Sequence, residues 1–192
     1  MAGEDYHEIE IGTPLDTVPG RIELVEVFGY TCPHCASFQP LVSAWKAKLP
    51  ADVRMTYVPA PFGGYWIPYA KAYYAAEALG VLDETHEAMF GALHLERALP
   101  IQNATPEEIG QWYAAHSTAD ADEFAATMQS FGTDAKLKRA AQFIQRSGVD
   151  GTPSIIVNGK YKVLGRSLPD TLRIASHLVA MERAASEGAA QP

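Results

Sequence analysis

Residues 26–35 read Glu26-Val27-Phe28-Gly29-Tyr30-Thr31-Cys32-Pro33-His34-Cys35, and the fold is decided at the junction inside them. Upstream, Ile22, Leu24, Val25, Val27 and Phe28 form a near-continuous apolar run up to Gly29, the pattern of a strand covered on both faces. Downstream, Cys35, Phe38, Val42, Trp45 and Leu49 recur at helical spacing, which predicts a helix from about Cys32 to Leu49. Pro40 lies inside that pattern; it removes a backbone hydrogen bond and should kink the helix. Val53 to Val58 reads as the next strand. Strand, helix and strand follow one another, with a cysteine pair at the first turn.

Cys32 and Cys35 are the only two cysteines. At a helix N-terminus, unpaired N–H groups and the macrodipole favour an anion, so Cys32 is expected to have a lowered pKa and a raised thiolate fraction. Cys35, one turn along and on the apolar stripe, is expected to be buried, with the two sulfurs within bonding reach. His34 adds partial or full positive charge beside the thiolate. Whatever stabilises that thiolate stabilises the reduced protein and makes the disulfide a stronger oxidant. Other uses of the pair fit less well. A structural disulfide closing so short a loop removes little unfolded-state entropy. A structural zinc site needs two more ligands, and His86 and His94 lack the usual close spacing. Ala36 follows Cys35 where haem attachment requires histidine.

Away from this centre, the pattern is helical from Trp66 to Ser147. Ile67, Ala70, Tyr74 and Ala78 make one stripe, stopped at Gly80; Asp83 to Arg97 makes a second helix. Thr105-Pro106-Glu107-Glu108 is a capping box with proline at the first helical position, ahead of Ile109, Trp112 and Tyr113. Asp120 and Glu123 cap a helix carrying Phe124, Met128 and Phe131; Leu137, Ala140, Ala141 and Ile144 form the next, ending before Gly148. Ser154 to Val157, the Asn158-Gly159 turn and Tyr161 to Leu164 read as a hairpin. A final helix presents Leu168, Leu172, Ala175 and Val179, and the tail from Ala184 to Pro192 is expected to fray. His7 to Ile11 alternates as an edge strand would. The expected class is α/β: one mixed sheet with helices on its faces, formed by residues 1–62 and 148–192, with 63–147 as a helical insertion.

With 47% hydrophobic and 20% charged residues, the 192-residue chain has ample core material for such a domain, and no apolar run long enough to span a bilayer. Its 15 basic against 23 acidic residues leave a net charge of −8, which argues against nucleic acid as the main partner. Met1 to Asp5 lacks the basic start and apolar core of a signal peptide, so the chain reads either as cytosolic or as a mature form with an added Met.

The segment Glu26 to Cys35 resembles the active-site segment of the DsbA family of thiol:disulfide oxidoreductases, which have the thioredoxin fold. Phe62-Gly63-Gly64-Tyr65-Trp66 and Tyr73-Tyr74-Ala75-Ala76-Glu77-Ala78-Leu79-Gly80 resemble the start of that family's helical domain. Gly151-Thr152-Pro153-Ser154 through Tyr161 resembles its cis-proline loop and hairpin, and the order of elements matches over nearly the whole chain. The resemblance implies that Cys32-Pro33-His34-Cys35 is the catalytic motif, with its disulfide as the redox group and no other cofactor or metal. It implies that Pro153 is cis and faces the cysteine pair, that the Thr152 backbone can pair with an extended substrate, and that Glu26 is the buried acid near Cys35. It further implies a periplasmic mature protein acting as a monomer on reduced exported proteins and reoxidised by a DsbB-type membrane protein and quinone.

A disulfide isomerase or reductase is the nearest enzymatic alternative, although the segment before Ile22 is too short for the dimerisation domain that isomerases of this superfamily usually carry. Glutathione-dependent isomerases and transferases of related fold typically lack an intact pair. A non-enzymatic holdase would use Phe62, Tyr65, Trp66 and Tyr69 as a peptide groove, although each of these is equally suited to a core.

Overall fold

The computed structural model describes Met1 to Ala189. Its strands are β1 (Tyr6–Glu8), β2 (Ile22–Phe28), β3 (Val53–Pro59), β4 (Ser154–Val157) and β5 (Tyr161–Val163). Its helices are α1 (Pro33–Lys46), α2 (Trp66–Ala78), α3 (Leu82–His94), α4 (Pro106–His116), α5 (Ala121–Met128), α6 (Phe131–Arg146) and α7 (Leu168–Ala189). The five strands form one sheet in the order β1-β5-β4-β2-β3. All seven residues of β2 are buried, as its near-continuous apolar run requires of an interior strand, and they include Glu23 and Glu26.

The chain divides into two compact units. One comprises Met1–Phe28, Ser37–Val58 and Phe143–Pro192; the other comprises Gly29–Ala36 and Pro59–Gln142. In the first, β4 runs antiparallel to β2 with Leu24 opposite Val157 and Val27 opposite Ser154. Val157 pairs with Tyr161 across a three-residue connection, in which Lys160 N donates to Val157 O and the two central residues of the turn, Asn158 and Gly159, both have positive φ, as a turn of matching twist demands. The helix α7 packs against β4 and β5, and its Leu172, Ala175 and Val179 are buried. In the second unit, α2 is buried almost all round, from Tyr69 to Ala76 except for Lys71, so it is a core helix rather than the one-striped helix its periodicity predicts. The Lys71 ammonium pairs with Asp134 at 2.7 Å. The capping box at Thr105 forms as expected.

Several local expectations are corrected. The edge strand stops at Glu8 and Ile11 is exposed, because the chain turns at Gly12, whose N–H donates to Ile9 O. Helix α1 ends at Lys46, where Lys48 and Leu49 switch to hydrogen bonds three residues back. Phe131 belongs to no buried stripe: it opens α6 and is 88% exposed. On α6 the buried partner of Ala140 and Ile144 is Phe143, while Ala141 is exposed. The helix α7 continues from Ala184 to Ala189 instead of fraying, and residues 190–192 lie outside the described part.

Candidate active site

The strand β2 runs directly into a three-residue turn, Gly29-Tyr30-Thr31, and then into α1. Cys32 is the residue before the helix: its N–H donates to Gly29 O at 3.1 Å, and its C=O accepts from Ala36 N at 3.1 Å, the first bond of the helix. Pro33 occupies the first helical position, where a missing N–H loses nothing. Cys32 therefore stands where the unpaired amides of the first turn converge. It keeps a 6% exposed surface, whereas Cys35, one turn on, is fully enclosed. Pro33 and His34 are exposed between them.

Glu26 lies on β2 opposite Ile155 and is 1% exposed. Burial pushes its carboxyl pKa up to about 8, opposed in part by the charge of Lys46, and its Oε2 has no hydrogen-bond partner among the described residues. A protonated carboxyl is the form that such an apolar site tolerates. The bond between Thr152 and Pro153 is cis. It precedes β4 by one residue, at the end of the sheet where β2 leaves for the Cys32 turn. The three groove candidates differ. Phe62 and Tyr65 are exposed, while Trp66 is half-buried and packs its ring on Gly29: a Cβ there would lie 2.0 Å from Trp66 Cζ3. Tyr69 is core, and its hydroxyl donates to Pro100 O.

The periodicity of the sequence leaves one group unseen. Tyr30, two residues before Cys32, is buried, with its hydroxyl 2.8 Å from His86 Nδ1 and its carbonyl 2.7 Å from His94 Nε2. The spacing of His86, Phe90 and His94, four residues apart each time on α3, was the available signal. Among the described residues, no group of three or more His, Cys, Asp or Glu could hold a metal.

A mixed sheet flanked by helices, with a Cys-x-x-Cys pair at the N-terminus of the helix that follows a buried interior strand, defines a thiol:disulfide oxidoreductase. The thioredoxin family model matches residues 21–173. The chain is 37% identical to the thiol:disulfide interchange protein DsbA of Pseudomonas aeruginosa over 97% of this chain and 87% of that protein. To DsbA of Azotobacter vinelandii it is 38% identical, over 95% and 85%. The crystal structure of the oxidoreductase DsbA from Xylella fastidiosa superposes with a TM-score of 0.93 at 46% identity, covering 96% of this chain and 98% of that one. This chain belongs to the DsbA family of thiol:disulfide oxidoreductases.

Proposed function

We propose that the protein is a dithiol oxidase in which Cys32 is the attacked sulfur. The observation that carries this is the asymmetry of the pair: Cys32 caps the helix and keeps a surface, while Cys35 has none. A substrate thiolate attacks Cys32 Sγ; the S–S bond breaks, and Cys35 leaves with the electron pair and takes up a proton. A second substrate thiolate then attacks the substrate sulfur of the mixed disulfide and expels Cys32 as a thiolate. The substrate has lost two electrons and two protons, and the Cys32–Cys35 pair has been reduced.

In this reading His34, exposed on the first turn, favours the Cys32 thiolate, and Pro33 starts the helix. Glu26, its pKa raised by burial to about 8, is the internal carboxyl able to exchange a proton during the reaction. The backbone at Thr152 and Pro153 offers a carbonyl and, at Pro153, no N–H, which suits pairing with an extended peptide. Phe62, Tyr65 and Trp66 supply apolar surface for its side chains. Residues 63–147 act as a helical insertion in a domain formed by 1–62 and 148–192. Net donation of disulfides suits an oxidising compartment, so the substrates are reduced exported proteins in the periplasm and the electrons pass to a DsbB-type membrane oxidase. Among the described residues, no helix is long and apolar enough to cross a membrane.

Brief alkylation of the reduced protein, followed by peptide mapping, tests the assignment. Cys32 should take the label; preferential labelling of Cys35 overturns it. The oxidised protein should convert a two-cysteine peptide to its disulfide in equimolar amount. If protection of an unfolded substrate survives Cys32→Ser with Cys35→Ser while wild type produces no peptide disulfide, the protein is a holdase.

A further inference from the structure

The turn between β2 and α1 is three residues long, and any rotation of its peptide planes moves Cys32 relative to the amides beneath it. Side chains from the helical unit grip that turn. Trp66 fills the space over Gly29 that a Cβ would need. The Tyr30 ring sits among Phe90, His86 and Tyr73, with centroids 5.0, 5.4 and 6.5 Å away, and its hydroxyl meets His86 Nδ1. A side chain of α3 also reaches the backbone itself. A carbonyl only accepts, so at 2.7 Å the His94 Nε2 is the donor to Tyr30 O.

We propose that His94 is a positioning residue for thiol–disulfide exchange: its Nε2–H fixes the Tyr30–Thr31 peptide plane and so holds Cys32 over the N-terminal amides of α1. The proposal rests on the reading of Cys32 as the reactive sulfur. His94 is the last residue of α3 and half-buried. Both the neutral Nε2–H form and the imidazolium can donate, so the grip does not depend on the charge of His94. Without the donor, the Tyr30 carbonyl regains freedom to turn its negative end, and the plane that follows it tilts. The thiolate then loses part of its alignment with the amides that stabilise it.

Glutamine and methionine have nearly the same shape, but only glutamine carries an N–H at the Nε2 position. His94→Gln and His94→Met in the full chain therefore separate the hydrogen bond from packing and charge. The readouts are the pH profile of Cys32 alkylation in the reduced protein and the equilibrium with glutathione. A hydrogen bond of ordinary strength predicts that H94M slows alkylation about threefold to tenfold on the acid side of the profile. It should move the midpoint to higher pH and make the pair less oxidising by a similar factor. H94Q should stay within about twofold of wild type. H94M indistinguishable from wild type overturns the proposal; so does H94Q falling as far as H94M, which would assign the effect to the ring. If H94M does not fold, H94A takes its place beside H94Q: H94A equal to wild type, or H94Q falling as far as H94A, overturns the proposal. Labelling of Cys35 in wild type overturns the underlying assignment, a failure visible without any His94 variant.

Discussion

A carboxyl in the middle of a fully covered strand has one inexpensive state, the protonated one. The Glu26 pKa is raised in the fold to about 8, from 4.5. Between those values the folded protein keeps a proton that the unfolded chain has released. The associated stability is therefore complete below about pH 4.5 and is lost as pH rises toward 8, at about 1.4 kcal/mol per unit. Glu26→Gln removes the titration, so the variant should gain on wild type from pH 5 to pH 8 in thermal melts, and a flat difference would contradict the buried-acid account. At His34 the prediction concerns redox poise. His34→Ser should shift the glutathione equilibrium about threefold to tenfold toward a less oxidising pair, and an unchanged or more oxidising variant would contradict it. The cysteines and His34 were legible as a motif, and the parity of β2 was compatible with a buried Glu26. The grip of His94 on Tyr30 was not legible, because it joins residues 64 apart in sequence and carries no local pattern beyond the spacing on α3.

Where a helix start carries side-chain capping chemistry, as at α4 and α5, the signal read true. Thr105 Oγ1 accepts from Glu108 N at 3.2 Å, while Thr105 N donates to Glu108 Oε2 at 2.9 Å. Thr105→Ala should cost about 1 kcal/mol, measurable by urea denaturation. The close approach of α4 and α5 is a different matter. A Cβ on Gly110 would lie 2.5 Å from the backbone oxygen of Ala121, which cannot swing aside as a side chain could. Gly110→Ala should therefore destabilise by about 1–3 kcal/mol, despite the better helix propensity of alanine, and a stabilised variant would show that the two helices separate easily. Glycine inside a helical pattern does not reveal what crosses it, so the sequence could place Gly110 on α4 but not against α5. The same holds for β1, whose alternation continues to Ile11 while a turn at Gly12 ends the strand, and for Phe131, which periodicity assigned to the wrong helix.

At the scale of the whole molecule, the succession of strands and helices was legible because each has its own period, and the Asn158-Gly159 turn fixed one pairing. The pairing of β2 with β4 was not, since it joins segments about 130 residues apart and nothing local encodes it. That arrangement puts the redox pair at the head of a helix in a finished fold, which couples redox state to stability. Most disulfides stabilise a protein by restricting the unfolded chain, but the Cys32–Cys35 loop is too short to restrict much. The reduced protein has an opposing advantage: the N-terminus of α1 favours the Cys32 thiolate in the fold and not in the unfolded chain. An acid favoured in its charged form contributes stability at high pH that is lost as pH falls through its folded-state titration, about 1.4 kcal/mol for each unit of difference between the two states. The reduced form should therefore melt above the oxidised form near neutral pH. An advantage of about 1–2 kcal/mol corresponds to about 2–8 °C for a chain of this size, and the gap should narrow on acidification. Thermal melts of both redox forms from about pH 4 to pH 8 decide it. An oxidised form that melts higher at neutral pH, with no acid-dependent change in the gap, would mean that the fold does not hold the thiolate. The pair would then serve a reductase better than an oxidase, because what drives disulfide donation here is the preference of the folded protein for its own reduced state.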